Sequence, residues 1–131
     1  SEISPNVVRK AIANMHNADV ADRITVRNMA FEDLEAPEGG GVLIMNPPYG
    51  ERMDREEDIN AFYKMIGDTL KKKWAGYTAW VLTSNMEAAK HIKLTPKPRL
   101  QLFNGALDCR FMRYELYSGS RRREDAPPKE A

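Results

Sequence analysis

Asn46-Pro47-Pro48-Tyr49 places a side-chain amide and an aromatic ring on one stiff piece of backbone. The Asn46 amide offers one acceptor and two donors. The Tyr49 ring offers a flat face for stacking, a contact that uses the ring rather than the hydroxyl. Pro47 and Pro48 each hold φ near about −65° and donate no backbone hydrogen bond. Each also pushes the residue before it toward extended geometry. An amide and a stacking ring on such an arm suit a planar ring with an exocyclic amino group, which is the chemistry of a nucleobase. Asn-Pro alone is a common turn opener. What precedes the tetrapeptide raises it above a turn.

Val42, Leu43, Ile44 and Met45 form a short apolar run that reads as a buried parallel strand. The tetrapeptide therefore leaves the C-terminal end of a strand, where open α/β sheets bind ligands. Ser4-Pro5 is a helix start, with Ser as N-cap and Pro at the first helical position. Val7, Val8, Ala11, Ile12 and Met15 then share one helical face, and the helix fades near Asn17 and Ala18. A strand is expected over 24–28, a loop over 31–41, and an exposed charged loop over 51–57. A long amphipathic helix is expected over 58–74, with Ile59, Phe62, Met65, Ile66 and Leu70 inward. A third strand covers 77–83, and Ser84 should cap a short helix reaching about Ile92. Two strand-like runs, 100–103 and 107–117, flank Asn104-Gly105, a strong hairpin-turn signal. Alternating strands and helices imply a mostly parallel sheet, to which the hairpin adds an antiparallel edge strand.

A chain of 131 residues with 42% apolar composition holds one domain at most. The folded part is expected over 1–117, followed by a polar, charged, disordered tail over 118–131. The formal net charge of +1 leaves no global nucleic-acid footprint. Basic residues are locally dense at Lys71-Lys72-Lys73, at Lys90, Lys93, Lys97 and Arg99, and at Arg121-Arg122-Arg123. A solvated face or a charged helix end explains each of these clusters better than a phosphate contact does. Cys109 stands alone, so no internal disulfide forms. His16 and His91 lack partners at ligand spacing, and no metal site is expected. The chain has no signal peptide and no long apolar stretch, and a cytoplasmic location is expected.

The tetrapeptide resembles the signature of the class I amino-methyltransferases that use S-adenosylmethionine, in which Asp, Asn or Ser precedes Pro-Pro and an aromatic residue. The resemblance implies that Asn46 and the Pro47 carbonyl hold the nucleophilic nitrogen, that Pro48 shapes the arm, and that Tyr49 stacks on the base. The implied chemistry is methyl transfer to a neutral nitrogen, driven by positioning and by electrostatic steering of the amine lone pair. By element order, residues 1–117 resemble the second half of that Rossmann-like fold, whose sheet ends in a hairpin with one antiparallel strand. Glu2 and Ile3 then take the place at the end of the family's second strand, where an acidic residue accepts hydrogen bonds from the cofactor's ribose hydroxyls. Ala30 and Phe31 take the adenine-reading place. Phe31 can pack on adenine, but Ala30 cannot accept the hydrogen bond that an Asp accepts there in many members. Asp33 is a displaced candidate for that role. Asn46 joins both the cofactor-binding and the catalytic set.

Residues 46–52 (NPPYGER), Val81 to Asn85, and Phe103 to Arg110 resemble one subfamily in particular. It comprises bacterial enzymes that methylate guanine N2 in large-subunit ribosomal RNA, carry an N-terminal THUMP RNA-binding domain, and were often labelled adenine-specific DNA methylases. Adenine-N6 DNA methylation and a non-catalytic nucleic-acid-binding module are the alternatives. The family's first strand, most of its second strand, and its glycine-rich loop have no counterpart in these residues. Gly39-Gly40-Gly41 precedes a strand rather than following one. The expectation is a piece of a longer enzyme, with a THUMP domain in the whole protein, that does not bind the cofactor measurably by itself.

Overall fold

The structure, a computed structural model, describes residues 1–50 and 55–118. Residues 51–54 of the expected charged loop, and the expected tail apart from Ser118, lie outside the described residues. Two units are present, Ser1–Glu35 and Ala36–Ala131.

In the first unit, helix α1 spans Pro5–Asn17, with Ser4 as N-cap and its side chain accepting from the Val7 amide. The sequence put both features there: Ser satisfies an open helix donor and Pro tolerates the first turn. None of its residues is fully buried, and Val7 and Ile12 of the apolar face are 46% and 40% exposed. The strand expected over 24–28 is not realised as a ladder. One parallel bridge forms between Glu2 and Asn28. A ladder needs several extended residues on both sides, and Ser4-Pro5 turns the Glu2 side into helix almost at once. A short 3₁₀ turn, Phe31–Asp33, lies inside the expected loop.

In the second unit, β1 spans Gly41–Met45, α2 Glu56–Lys73, β2 Tyr77–Thr83, α3 Met86–Ala89, β3 Arg99–Asn104 and β4 Leu107–Glu115. The sheet order is β1-β2-β4-β3. β1 pairs parallel with β2, while β4 runs antiparallel to both β2 and β3. The hairpin therefore does not simply add an antiparallel edge. Its second strand inserts beside β2, and β3, which runs in the direction of β1 and β2, becomes the edge. Burial decides this order: β4 carries Cys109, Met112 and Tyr114, each at most 2% exposed, whereas every residue of β3 is exposed.

α2 begins with Glu56, Glu57 and Asp58 and ends with Lys71, Lys72 and Lys73. Acid at the N-terminus and base at the C-terminus complement the helix dipole, so the lysine run serves the helix. The buried stripe is Ile59, Tyr63, Ile66 and Leu70, at spacings of four, three and four residues. Phe62 and Met65, expected inward, are only half-buried. Tyr63, which a hydropathy pattern passes over, takes the inward place. Tyr63 of this stripe meets Thr83 of β2, which is fully buried along with Ala79 and Val81. α3 is capped by Asn85 rather than Ser84, with the Asn85 Oδ1 accepting from the Ala88 amide at 2.9 Å.

Candidate active site

The arm is held at its carbonyls. As the chain leaves β1, the Tyr63 hydroxyl of α2 donates to the Pro48 carbonyl at 3.0 Å. The Asn85 Nδ2 donates to the Tyr49 carbonyl at 2.9 Å. Tyr63 also lies 2.6 Å from the Thr83 Oγ1, and Thr83 accepts from the Asn85 backbone amide at 3.0 Å. A hydroxyl has one proton to give. Tyr63 gives its proton to Pro48, so Thr83 donates to Tyr63 and keeps its own oxygen for Asn85. One directed string thus runs from the start of α3, through the end of β2 and the middle of α2, to the arm. Prolines supply the stiffness, and the string supplies the place.

The two donor-clamped carbonyls are those of Pro48 and Tyr49. Among the described residues, the Pro47 carbonyl and the Asn46 Nδ2 have no protein partner. Pro47 is buried and Asn46 is exposed, so the arm has a packed root and an open amide. The Tyr49 hydroxyl is not idle, as a stacking role alone implies. It donates to the Asn46 Oδ1 at 2.6 Å and accepts from the Asn104 Nδ2 at 3.3 Å. Burial pushes the Tyr49 phenol up, the Asn104 donor opposes this, and the neighbouring Cys109 thiol adds to the rise. The hydroxyl is accordingly protonated at neutral pH and can act as donor.

Burial pushes Tyr63 and Tyr114 up to about 12. Both phenols bind their protons more tightly folded than unfolded, so their contribution is intact below pH 10 and declines as pH rises from about 10 to about 12. Chemical denaturation midpoints measured at pH 8, 10 and 11.5 should be flat over the first interval and fall over the second. A midpoint unchanged at pH 11.5 would contradict buried, neutral phenols.

Tyr63, Thr83, Asn85 and Asn104 were not among the expected site residues. Thr83, Asn85 and Asn104 lie within stretches that carried the family resemblance, but only as sequence. Asn104 was expected inside the hairpin turn. Instead it pairs with Leu107 in the ladder, and Gly105 and Ala106 form the loop. Gly105 has φ +62°, the value a two-residue hairpin loop requires at its first position. This shift by one residue turns the Asn104 amide into a site residue.

The expected cofactor residues lie in the first unit. The Glu2 amide donates to the Arg27 carbonyl at 3.0 Å. The Asn28 side chain donates to the carbonyls of Glu2 and Ile3 at 2.9 and 3.0 Å. The Glu2 Oε1 accepts from the Ser4 amide at 2.8 Å, which leaves the second carboxylate oxygen without a partner among the described residues. Ile3 is 70% exposed. Ala30 and Phe31 are half-buried and open the 3₁₀ turn two residues after the bridge. A carboxylate with a free oxygen is a group that sugar hydroxyls can donate to. Ala30 adds no side-chain acceptor.

A mixed four-stranded α/β sheet with the Asn46–Tyr49 arm at the C-terminal end of β1 is the arrangement of a methyltransferase-like α/β fold. The match to known families is direct. Residues 1–113 match UPF0020 (RMKL-like, methyltransferase domain), and the chain belongs to that family. A Synechocystis protein provisionally named as an RNA methyltransferase, slr0064, is 40% identical over 85% of this chain and 29% of its own length. The ribosomal RNA large subunit methyltransferase K/L of Shewanella frigidimarina is 36% identical over 95% of this chain and 17% of its own length. The chain thus spans less than a third of these relatives. Among solved structures, SMU.472, provisionally a methyltransferase and complexed with SAH, superposes with a TM-score of 0.81 at 22% identity, over 90% of this chain and 31% of that one. A Listeria monocytogenes protein provisionally described as an N6-adenine-specific DNA methylase gives a TM-score of 0.73 at 25% identity, over 87% of this chain and 29% of that one.

Proposed function

We propose that this chain carries the amine-binding site of a cytoplasmic methyltransferase acting on a nucleobase amino group, guanine N2 in large-subunit ribosomal RNA. The observation that carries the reading is the division of labour along the arm. The Pro48 and Tyr49 carbonyls are clamped by Tyr63 and Asn85, while the Pro47 carbonyl is left for a ligand and the Asn46 Oδ1, which accepts from Tyr49, keeps a second lone pair for one. Two acceptors on a stiff arm hold both hydrogens of an amine and aim its lone pair away from the ring plane. Positioning of this kind supplies most of what methyl transfer to a neutral nitrogen needs. The Tyr49 ring stacks on the base. S-adenosylmethionine is the methyl donor and supplies an activated methyl group when bound. Glu2 would accept from its ribose hydroxyls, and Ile3 and Phe31 would pack on its adenine beside Ala30. A THUMP-type RNA-binding domain elsewhere in the whole protein belongs to the same proposal. The K/L relatives support RNA over DNA.

The whole protein should be incubated with labelled cofactor and either ribosomal RNA or duplex DNA. Label in RNA is expected, and label confined to duplex DNA sinks the RNA choice. Tyr49→Ala should weaken RNA more than cofactor. Base stacking is worth ~1–3 kcal/mol, so KM for RNA should rise roughly 5- to 150-fold. An unchanged KM would remove Tyr49 from the stacking role.

A further inference from the structure

We propose that Asn104, at the tip of the β3–β4 hairpin, is a positioning residue that sets the direction of the Asn104–Tyr49–Asn46 hydrogen-bond string and so selects which end of the Asn46 amide meets the target amine. The proposal rests on the amine-binding reading of the arm. The Tyr49 hydroxyl has one proton and gives it to the Asn46 Oδ1 at 2.6 Å. It can do so because its oxygen already receives the Asn104 Nδ2 at 3.3 Å. A side-chain amide presents its oxygen or its nitrogen after a half-turn of nearly equal cost. The Asn46 side chain makes no other hydrogen bond among the described residues. The proton on Tyr49 therefore decides the Asn46 orientation, and the group facing Tyr49 from the hairpin decides where that proton goes.

With Asn104 donating, the Asn46 oxygen stays at the tyrosine end, its second lone pair available to an incoming amine. In the reversed string, Asn46 would donate to Tyr49 and Tyr49 to Asn104, turning the acceptor away. Asn104 is exposed and its backbone is held by the ladder with Leu107. A substitution there changes the string without touching the core. Among the described residues, the tyrosine is also faced by the buried Cys109 thiol, which bonds its side chain from β4, by Tyr63, which gives its proton to Pro48, and by Asn85, whose Nδ2 is held on the Tyr49 carbonyl.

Asn104→Asp is the test, because a carboxylate of the same size accepts and cannot donate. It forces the reversed string. In the whole protein, kcat should fall at least tenfold, while KM for RNA and the thermal midpoint change less than twofold and by less than a few degrees. Placed on a Tyr49→Phe background, the same substitution should have no further effect, because the intermediary hydroxyl is gone. A readout without substrate is the Tyr49 phenol, isolated by ultraviolet difference against Tyr49→Phe. Its alkaline titration should move upward in Asn104→Asp, since a donor is lost and a negative charge added. Equal losses of kcat on both backgrounds, or an unchanged kcat with Tyr49 present, overturn the proposal. Asn46→Ala separates this from the underlying reading. If Asn46→Ala is slow but Asn104→Asp is normal, only the role of Asn104 fails. If Asn46→Ala runs at the full rate, the amine site itself is wrong.

Discussion

Asn46→Ala is expected to lower the methylation rate of the whole protein by between about tenfold and 10³-fold. The lower figure corresponds to one positioning hydrogen bond worth ~1.4 kcal/mol of barrier. The upper figure is the order seen when a preorganised polar group is removed from the place where charge changes in a transition state. Cofactor affinity should change less than the rate. The fold should tolerate the change. Asn46 is exposed, and its only side-chain hydrogen bond among the described residues is with Tyr49. Full turnover in this variant, with an unchanged thermal midpoint, removes Asn46 from the reaction.

Gly67→Ala is expected to be the most disruptive single-methyl change in the second unit. Gly67 lies in the buried stripe of α2, opposite the turn that follows α3. A Cβ there would come within 2.8 Å of the Ile92 carbonyl carbon and Cα, and nearer still to the carbonyl oxygen. Those atoms are backbone, so no rotamer change relieves the clash, and the two helices must separate. Overpacking of well-packed interiors costs ~1–3 kcal/mol and more where backbone must move, so a loss of about 3 kcal/mol is expected despite the better helix propensity of Ala. The site should suffer with the fold. α2 carries Tyr63 to the Pro48 carbonyl, and Asn85 opens α3. A denaturation midpoint equal to that of the unaltered chain would show that α2 and the Ile92 turn do not approach this closely.

Local chemistry was readable from local residues. Ser4-Pro5 capped α1, the lysine run closed α2, and the strand expected over 77–83 formed as Tyr77–Thr83, buried at every second residue, whereas Glu56 and Glu57, expected in the loop, open α2. Asn46 to Tyr49 were legible because two consecutive prolines after an apolar run constrain the backbone whatever surrounds them. The expected strand over 24–28 failed for the converse reason: extended residues become a ladder only with a partner, which lies elsewhere in the chain.

The sequence by itself determined the α/β alternation, the arm and its chemical character, because these depend on residue types at short spacing. Tertiary structure alone decided three things. It placed β4 rather than β3 beside β2, since burial across the whole sheet selects the order. It moved the hairpin loop to Gly105 and Ala106, since the ladder register sets which residues must turn. It brought Tyr63, Asn85 and Asn104 to the arm from positions 15, 36 and 55 residues away in the chain. No periodicity encodes such meetings, because a hydrogen bond between distant side chains depends on the packing that carries them there.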